Sequence, residues 1–341
     1  MRTVAVAADQ LARRQPGGIG TYVRGLLRGL AEVDDVRAQP FGPTAGAAAR
    51  TRVAAVTALW TWVAWGVPHD ADVVHAPSLA GPVSGGRTGA VHSVAVHDLL
   101  WRDVPEAATP RGRRFHEARL RRLVAREDVR IVTTSPALGA RLVAEGVAPG
   151  RLVPVRLGVD EATSAADAAT VRALLAAHGV SGPFCLHVGT REPRKNLERL
   201  VRAHEAAHAL DAAIGPLVLV GPAGWGDIDT GAAVVVGALA RPLVLGLYAQ
   251  ATVVAYVPLD EGWGLPPVEA LRAGARVVAS TTVPSVADNA EVVRVEAHSV
   301  DDIAKGLLTA LARDESAREL RRASVADLTW RQCALDHLAG W

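Results

Sequence analysis

The 341-residue sequence holds only two cysteines, Cys185 and Cys333. Two thiols build neither a disulfide framework nor a metal-ligand set, so a chain kept in a reducing cytoplasm is expected. There is no excess of charge either. Lys and Arg number 37 against 35 Asp and Glu, a net +2, which lacks the basic balance of a dedicated nucleic-acid binder. No apolar run reaches the roughly 20 residues that cross a bilayer. The N-terminal run MRTVAVA goes straight to Asp9 and Gln10, without the apolar core and cleavage site of a signal peptide. No repeat of solenoid length is visible. Oxygen ligands at metal-binding spacing are confined to Asp227-Ile-Asp229, where an acidic surface loop after Gly224-Trp-Gly226 is the plainer reading.

What the sequence does have is core. Half of its residues are hydrophobic and 21% are charged, the balance of a globular protein long enough for two domains. The most apolar stretch, 53–67, holds Trp60, Trp62 and Trp65 behind Arg50 and Arg52. It reads as a buried helix, with docking at a membrane surface as the alternative. The arginine clusters at 111–114 and 119–122 read as a solvated helix face, with a local basic surface as the alternative.

Apolar runs alternate with helical patterns, which predicts βαβ units and an α/β fold of parallel sheets. Strands are expected at 3–8, 73–75, 90–97, 131–134, 152–155, 184–188, 217–220, 234–236, 253–257 and 276–279. Helices are expected at 21–33, 111–126, 137–145, 170–178, 197–207, 242–251, 300–313, 315–327 and 330–341. The small, polar run 160–169 (DEATSAADAA) reads as a linker, giving an N-terminal domain over 1–162 plus a terminal helix over 328–341, and a second domain over 163–327.

Three stretches carry chemistry. In 257–274, VPLDEGWGLPPVEALRAG, Glu261 precedes Gly262-Trp263-Gly264-Leu265, two prolines follow, Glu269 is expected in the first helical turn and Gly274 closes it. Glycines let backbone approach a ligand, and the free N–H groups of a helix start attract anions. In 187–196, HVGTREPRKN, Arg194 and Lys195 sit where a strand end binds ligands, and a diphosphate suits two such cations, although by themselves they read more readily as a surface turn with solvated charges. Gly17-Gly18-Ile19-Gly20 follows the first strand as a glycine loop. Alone it is as readily an ordinary turn as a phosphate loop. His97 ends a strand, where a histidine by itself is more often a hydrogen-bonded structural residue than a catalytic one.

Together these stretches resemble the retaining GT-B glycosyltransferases of family 4 type. The likeness rests on EGWGLP with its Glu-x7-Glu spacing, GTREPRKN, GGIGTY, VVHAP, VHDLL and VRLGVD, and so runs through nearly the whole chain. It implies two Rossmann-like domains facing across a cleft, with a C-terminal helix crossing back to the first. It also implies transfer of a hexose from a nucleotide-diphosphate sugar to a hydroxyl of a carbohydrate or lipid-linked acceptor, in glycan, polysaccharide or glycolipid assembly. By resemblance, Glu261 holds hexose hydroxyls, Glu269 the ribose and Lys195 the phosphates, with Arg194 beside it. The backbone of Gly262, Trp263, Gly264 and Leu265, with Gly17 and Gly18 opposite, completes the donor site. His97 then lies near the transferred sugar, and Asp98 orients it or touches the acceptor.

No metal or other cofactor is needed by the family. Its departure of the nucleoside diphosphate is front-face and retaining, the phosphate taking the acceptor's proton. GDP-mannose is the leading donor, from likeness to bacterial mannosyl- and rhamnosyltransferases. A peripheral contact of the N-terminal domain with the inner membrane face is expected. A catalytically silent donor-binding scaffold and a sugar-nucleotide epimerase are the alternatives. Thr190, Ser285, Val257-Pro258 and Arg156-Leu157 depart from common family residues, which leaves base and sugar preference open.

Overall fold

The computed structural model describes residues 1–13, 17–43, 55–57, 60, 66–83, 89–105, 109–160 and 165–341. The chain divides into two compact units, Met1–Gly158 with Asp327–Trp341, and Val159–Ala326.

The first unit is built on a six-stranded parallel sheet. Its strands are β1 (Arg2–Ala7), β2 (Val36–Phe41), β3 (Val73–Ala76), β4 (Val91–Val96), β5 (Val129–Thr133) and β6 (Leu152–Pro154), in the order β2-β1-β3-β4-β5-β6. Runs such as TVAVA and VAV are apolar throughout because helices cover both faces of a parallel sheet. The helices are α1 (Gly17–Ala31), α2 (Leu100–Asp103), α3 (Pro110–Val124) and α4 (Pro136–Ala144). Two of them start on the sequence signal for a helix N-terminus. Thr109 accepts from the Gly112 N–H ahead of Pro110, and Ser135 accepts from the Leu138 N–H ahead of Pro136.

The second unit carries its own parallel sheet, from β7 (Cys185–Val188), β8 (Leu217–Val220), β9 (Val234–Gly237), β10 (Val253–Tyr256), β11 (Val277–Ser280) and β12 (Val292–Val295). Their order is β12-β11-β10-β7-β8-β9. Helices α5 (Ala168–Ala177), α6 (Leu197–Leu210), α7 (Arg241–Gln250), α8 (Leu265–Arg272), α9 (Val300–Leu311) and α10 (Arg318–Ala323) surround it. A core of Leu200, Leu217, Leu219, Val253, Ala255, Val278, Ile303 and Leu307 packs one sheet face against α6 and α9.

The last helix, α11 (Trp330–Gly340), belongs to the first unit and packs on α1. The approach is close enough to require glycine. A Cβ on Gly25 would lie 2.1 Å from the Trp330 ring, and one on Gly29 would lie 2.0 Å from the Trp330 carbonyl oxygen.

Four elements differ from the sequence expectation. It assigned no strand to 36–41 or 292–295. Pro40 inside VRAQPF argued against a strand, yet β2 is an edge strand, where a missing N–H costs no ladder bond. β12, VVRV, is an edge strand as short as many loops. The glycine loop is absent, because Gly17-Gly18-Ile19-Gly20 forms the first turn of α1. The helix expected over 315–327 is a 3-10 turn at Glu315–Ala317 followed by six helical residues. Within 53–67, Val56, Trp60 and Val67 are buried in the first unit, with Trp60 edge-on to Phe41. Trp62, Trp65, Gln15, Pro16 and residues 161–164 of the expected linker lie outside the described residues.

Candidate functional site

In the second unit the strand order reverses at one place. β7 pairs with β8 on one side and β10 on the other, so the connections that follow β7 and β10 run to opposite sides of the sheet's switch point, from the carboxyl ends of the strands. That is where open α/β sheets bind ligands. The loop after β7 is 189–196 and the loop after β10 is 257–264, the two stretches singled out by their chemistry.

The loops meet at Glu261. Its Oε2 accepts from Lys195 Nζ (2.6 Å) and Arg194 Nη1 (2.8 Å), and from the Tyr256 hydroxyl. Lys195 Nζ also donates to the Tyr256 oxygen (2.5 Å). Three donors therefore converge on one carboxylate oxygen, and Lys195 keeps one of its three N–H groups for another partner. Burial opposes the charge of Glu261, but Lys195 and Arg194 overcome it and hold the carboxyl well below its usual range. Burial, reinforced by Glu261, pushes the Tyr256 hydroxyl well above its usual value, so it stays a donor. Arg194 also pairs with Glu192 at 2.7 Å. Asn196, the residue after the cations, adopts φ 60° and fixes the turn by donating to the carbonyls of Val257 and Ala297.

The glycine stretch is held from behind. Ser285 donates its N–H to the Trp263 carbonyl (2.9 Å) and its hydroxyl to the Gly264 carbonyl (2.6 Å). Gly264 has φ +92°, and a Cβ there would lie 2.5 Å from Val283, so only glycine fits this turn into α8. Pro266 and Pro267 fall inside the first turn, where their missing N–H groups cost nothing. The N–H groups of Trp263, Gly264 and Leu265 meet no acceptor among the described residues. N–H groups left free at a helix start favour an anion.

Glu269 is not in the first turn of α8, as expected from the sequence, but in its second. It is 5% exposed, and Arg241 of α7 donates to its Oε1 (2.6 Å) while Tyr248 donates to its Oε2 (3.2 Å). Arg241 also donates to Asp160 (2.9 Å). Burial works against the Arg241 charge, and Glu269 and Asp160 more than offset it. The helix dipole is therefore not what holds Glu269. Tyr256, Arg241 and Tyr248 escaped the sequence reading, since each lies in an ordinary strand or helix pattern with nothing local to mark it.

In the first unit, the order β2-β1-β3 places the reversal between β1 and β3. His97, after β4, donates Nε2–H to the Pro77 carbonyl (2.8 Å) after β3, and its ring stands edge-on to Tyr22 at 5.1 Å. Burial lowers its pKa. Asp98 accepts from the Leu100 N–H at the start of α2. Gly17 and Gly18 are exposed. Asp227 and Asp229 lie in an exposed loop, with Asp229 capping the Gly231 N–H. Among the described residues no three His, Cys, Asp or Glu side chains are grouped to hold a metal ion.

Behind His97 runs a buried relay. The Tyr22 hydroxyl touches His75 Nε2 and His337 Nε2, both at 2.7 Å. His337 Nδ1–H donates to the Cys333 carbonyl, so its Nε2 accepts from Tyr22. His75 Nε2–H then donates to Tyr22, and its Nδ1 accepts from Ser93. Every proton is placed only if both rings are neutral. Burial depresses both, His337 to about 4 from an ordinary 6.5. The unfolded chain therefore binds more protons between pH 6.5 and 4, and the first unit loses stability as pH falls through that window, by roughly 3 kcal/mol for His337 alone. Unfolding at pH 7 and pH 5 should show the loss in the wild type and a smaller one in His337→Gln; equal pH dependence in both would exclude the relay as its source.

Comparison with known proteins fits this geometry. Residues 182–313 match the family described as glycosyl transferases group 1. The chain is 31% identical over 166 residues to O-antigen chain mannosyltransferase B of Escherichia coli, covering 44% of this chain and 43% of that protein. It is 29% identical over 212 residues to the serotype-specific mannosyltransferase WbdA of Escherichia coli, covering 57% of this chain and 26% of that protein. The match thus spans less than half the length of either relative. Among solved structures, sucrose-phosphate synthase of Thermosynechococcus elongatus superposes with TM-score 0.71 at 20% identity, over 99% of this chain and 98% of that one. Anabaena HepE in complex with UDP-glucose gives 0.73 at 15% identity, over all of both chains. Residues 182–313 thus resemble the group 1 glycosyl transferases, and the chain as a whole shares the GT-B fold of these solved structures.

Proposed function

We propose that the chain is a retaining glycosyltransferase that moves a hexose from a nucleotide-diphosphate sugar to a hydroxyl of a carbohydrate or lipid-linked acceptor in polysaccharide assembly. The observation that carries this reading is the Glu261 carboxylate, held ionised by Lys195, Arg194 and Tyr256 beside the open N–H groups of 263–265. A fixed carboxylate is a strong acceptor for sugar hydroxyls, and the neighbouring cations and N–H groups suit a diphosphate. The ring of hydrogen bonds spares Glu261 from reorganising when charge develops.

In this reading the bond from the anomeric carbon to the diphosphate oxygen breaks first. Lys195, Arg194 and the start of α8 stabilise the leaving phosphate, which takes the proton of the incoming hydroxyl as that oxygen bonds the same face. No divalent ion is assigned to the donor's charge. Glu269, fixed by Arg241 and Tyr248, accepts the ribose hydroxyls, while Gly17, Gly18, His97 and Asp98 serve the transferred sugar and the acceptor.

GDP-mannose is the donor proposed first, supported by the names of the two Escherichia coli relatives. The structures of Anabaena HepE are complexes with UDP and with UDP-glucose, so UDP-sugars are the comparison. A cytoplasmic site of action, in peripheral contact with the inner membrane face, completes the proposal. No described helix is long and apolar enough to cross a membrane.

Purified protein should transfer or slowly hydrolyse one sugar from a panel of UDP-, GDP-, ADP- and dTDP-sugars. NMR of the mixture separates the outcomes. Donor loss with a retained anomeric configuration supports the proposal, an epimerised donor without acceptor points to an epimerase, and donor binding without turnover on native acceptor points to a scaffold.

A further inference from the structure

The first unit has a groove lined by arginines of the 111–114 and 119–122 clusters. It lies between α2 and α3, encloses about 630 Å³, and is lined by Trp101, Arg102, Arg113, Arg114, Glu117 and Arg121, with Pro110 and Ala118. That volume is within the range of small-molecule sites, about 300–1,000 Å³. The α3 positions fall at helical spacing 110, 113, 114, 117, 118 and 121, one face of the helix. The opposite face anchors the helix through buried Leu120, Leu123 and Arg119, whose guanidinium donates to the carbonyls of Leu79, Ala80 and Gly81.

The groove's charges are not balanced. Four arginines face one glutamate, and that glutamate is already committed. Arg102 grips Glu117 through two bonds, Nε to Oε2 at 2.9 Å and Nη2 to Oε1 at 2.6 Å, and the Trp101 indole donates to the same Oε2 at 3.1 Å. Arg121 Nε stands 3.5 Å from Glu117. Arg102 further pairs with Glu145. Arg113 and Arg114 are exposed and pair with no described carboxylate. Neighbouring Arg126 and Arg141 on the same unit each have an aspartate partner.

We propose that this groove is an anion site for a phosphate- or diphosphate-bearing ligand, gripped by Arg113 and Arg114 against the wall that Arg102, Glu117 and Trp101 form. Guanidinium forks match phosphate oxygens in pairs, and two uncompensated cations in succession call for more than one negative charge. Trp101, Pro110 and Ala118 leave an apolar strip on which the rest of the ligand can lie. Trp101 is 7% exposed, built into the wall rather than projecting as a membrane anchor would. If the glycosyltransferase reading above holds, the ligand is the anionic end of the acceptor; the anion site itself does not depend on that reading.

Calorimetric titration of the full chain with inorganic diphosphate at low salt tests it. Two binding events are expected, one here and one at Lys195. Arg113→Gln/Arg114→Gln should weaken one of them by at least about tenfold, while Lys195→Ala should weaken the other. Neither arginine makes an ion pair with a described carboxylate, so the fold should survive their loss. A double variant that titrates like the wild type would overturn the site. Failure of Lys195→Ala alone would overturn the donor assignment and leave the groove standing. Arginine-dependent binding to phosphatidylglycerol vesicles, without binding of soluble diphosphate, would overturn the site in favour of a lipid surface.

Discussion

Glu261→Ala should abolish sugar transfer and, in the same variant, lower the stability of the second unit. The two effects share a cause. Lys195 and Arg194 are 8% and 17% exposed in their side chains and both donate to Glu261. Removing that carboxylate leaves Arg194 with Glu192 but strands the Lys195 ammonium with the Tyr256 oxygen as its remaining partner, and breaking a buried pair from one side costs about 3–5 kcal/mol. Glu261→Gln separates charge from shape. It keeps an oxygen for Lys195 and Tyr256 but no charge, so it should fold better than the alanine variant and still lose transfer by about 100-fold or more. The carboxyl is held below its ordinary 4.5 in the fold. Its contribution to stability is complete above that pH and fades as pH falls below it, a dependence that Glu261→Gln should lack. Thermal unfolding with transfer assays on both variants checks this. A glutamine variant within about tenfold of wild-type turnover would remove Glu261 from the chemistry.

Trp330→Ala should have the largest effect on the first unit. The indole is 4% exposed and packs where Gly25 and Gly29 clear a path for it. Truncating a buried tryptophan costs about 3–5 kcal/mol. The reciprocal change, Gly29→Ala, sets two effects against each other. Helix propensity favours alanine by about 1 kcal/mol, but the new methyl would meet the Trp330 carbonyl, which is backbone and yields only if α11 shifts. Overpacking of that kind costs about 1–3 kcal/mol, so the net sign is destabilising. Both variants should release the 327–341 segment to protease earlier than the wild type, and Trp330→Ala should melt lowest. Melting of both at the wild-type temperature would mean that α11 contributes little to the unit.

The α/β alternation was readable because parallel strands are apolar on both faces and helices carry a 3.6-residue period, so element type is written locally. The edges were harder to see. β2 hides a proline that a central strand could not hold, and β12 is four residues long. Gly17–Gly20 misled for the opposite reason, since glycine signals a loop by its freedom, whereas here it opens a helix. At the candidate site, Glu261, Lys195 and the glycine run were legible because loop chemistry is compact in sequence. Tyr256 was not, because its hydroxyl matters only once β10 stands beside β7. Arg241 was hidden likewise, as its pairing with Glu269 joins residues 28 apart on two helices. Sequence also suggested cations waiting for a diphosphate. The structure places them on a carboxylate, so the site is balanced before any ligand arrives.

The site proposed for a nucleoside diphosphate lies at the ends of β7 and β10. Calorimetric titration of UDP, GDP, ADP and dTDP into wild type and Lys195→Ala tests it most directly. One nucleotide should bind the wild type, and the variant should bind it at least about tenfold more weakly. Absence of binding by all four, or equal affinity in the two proteins, would contradict it.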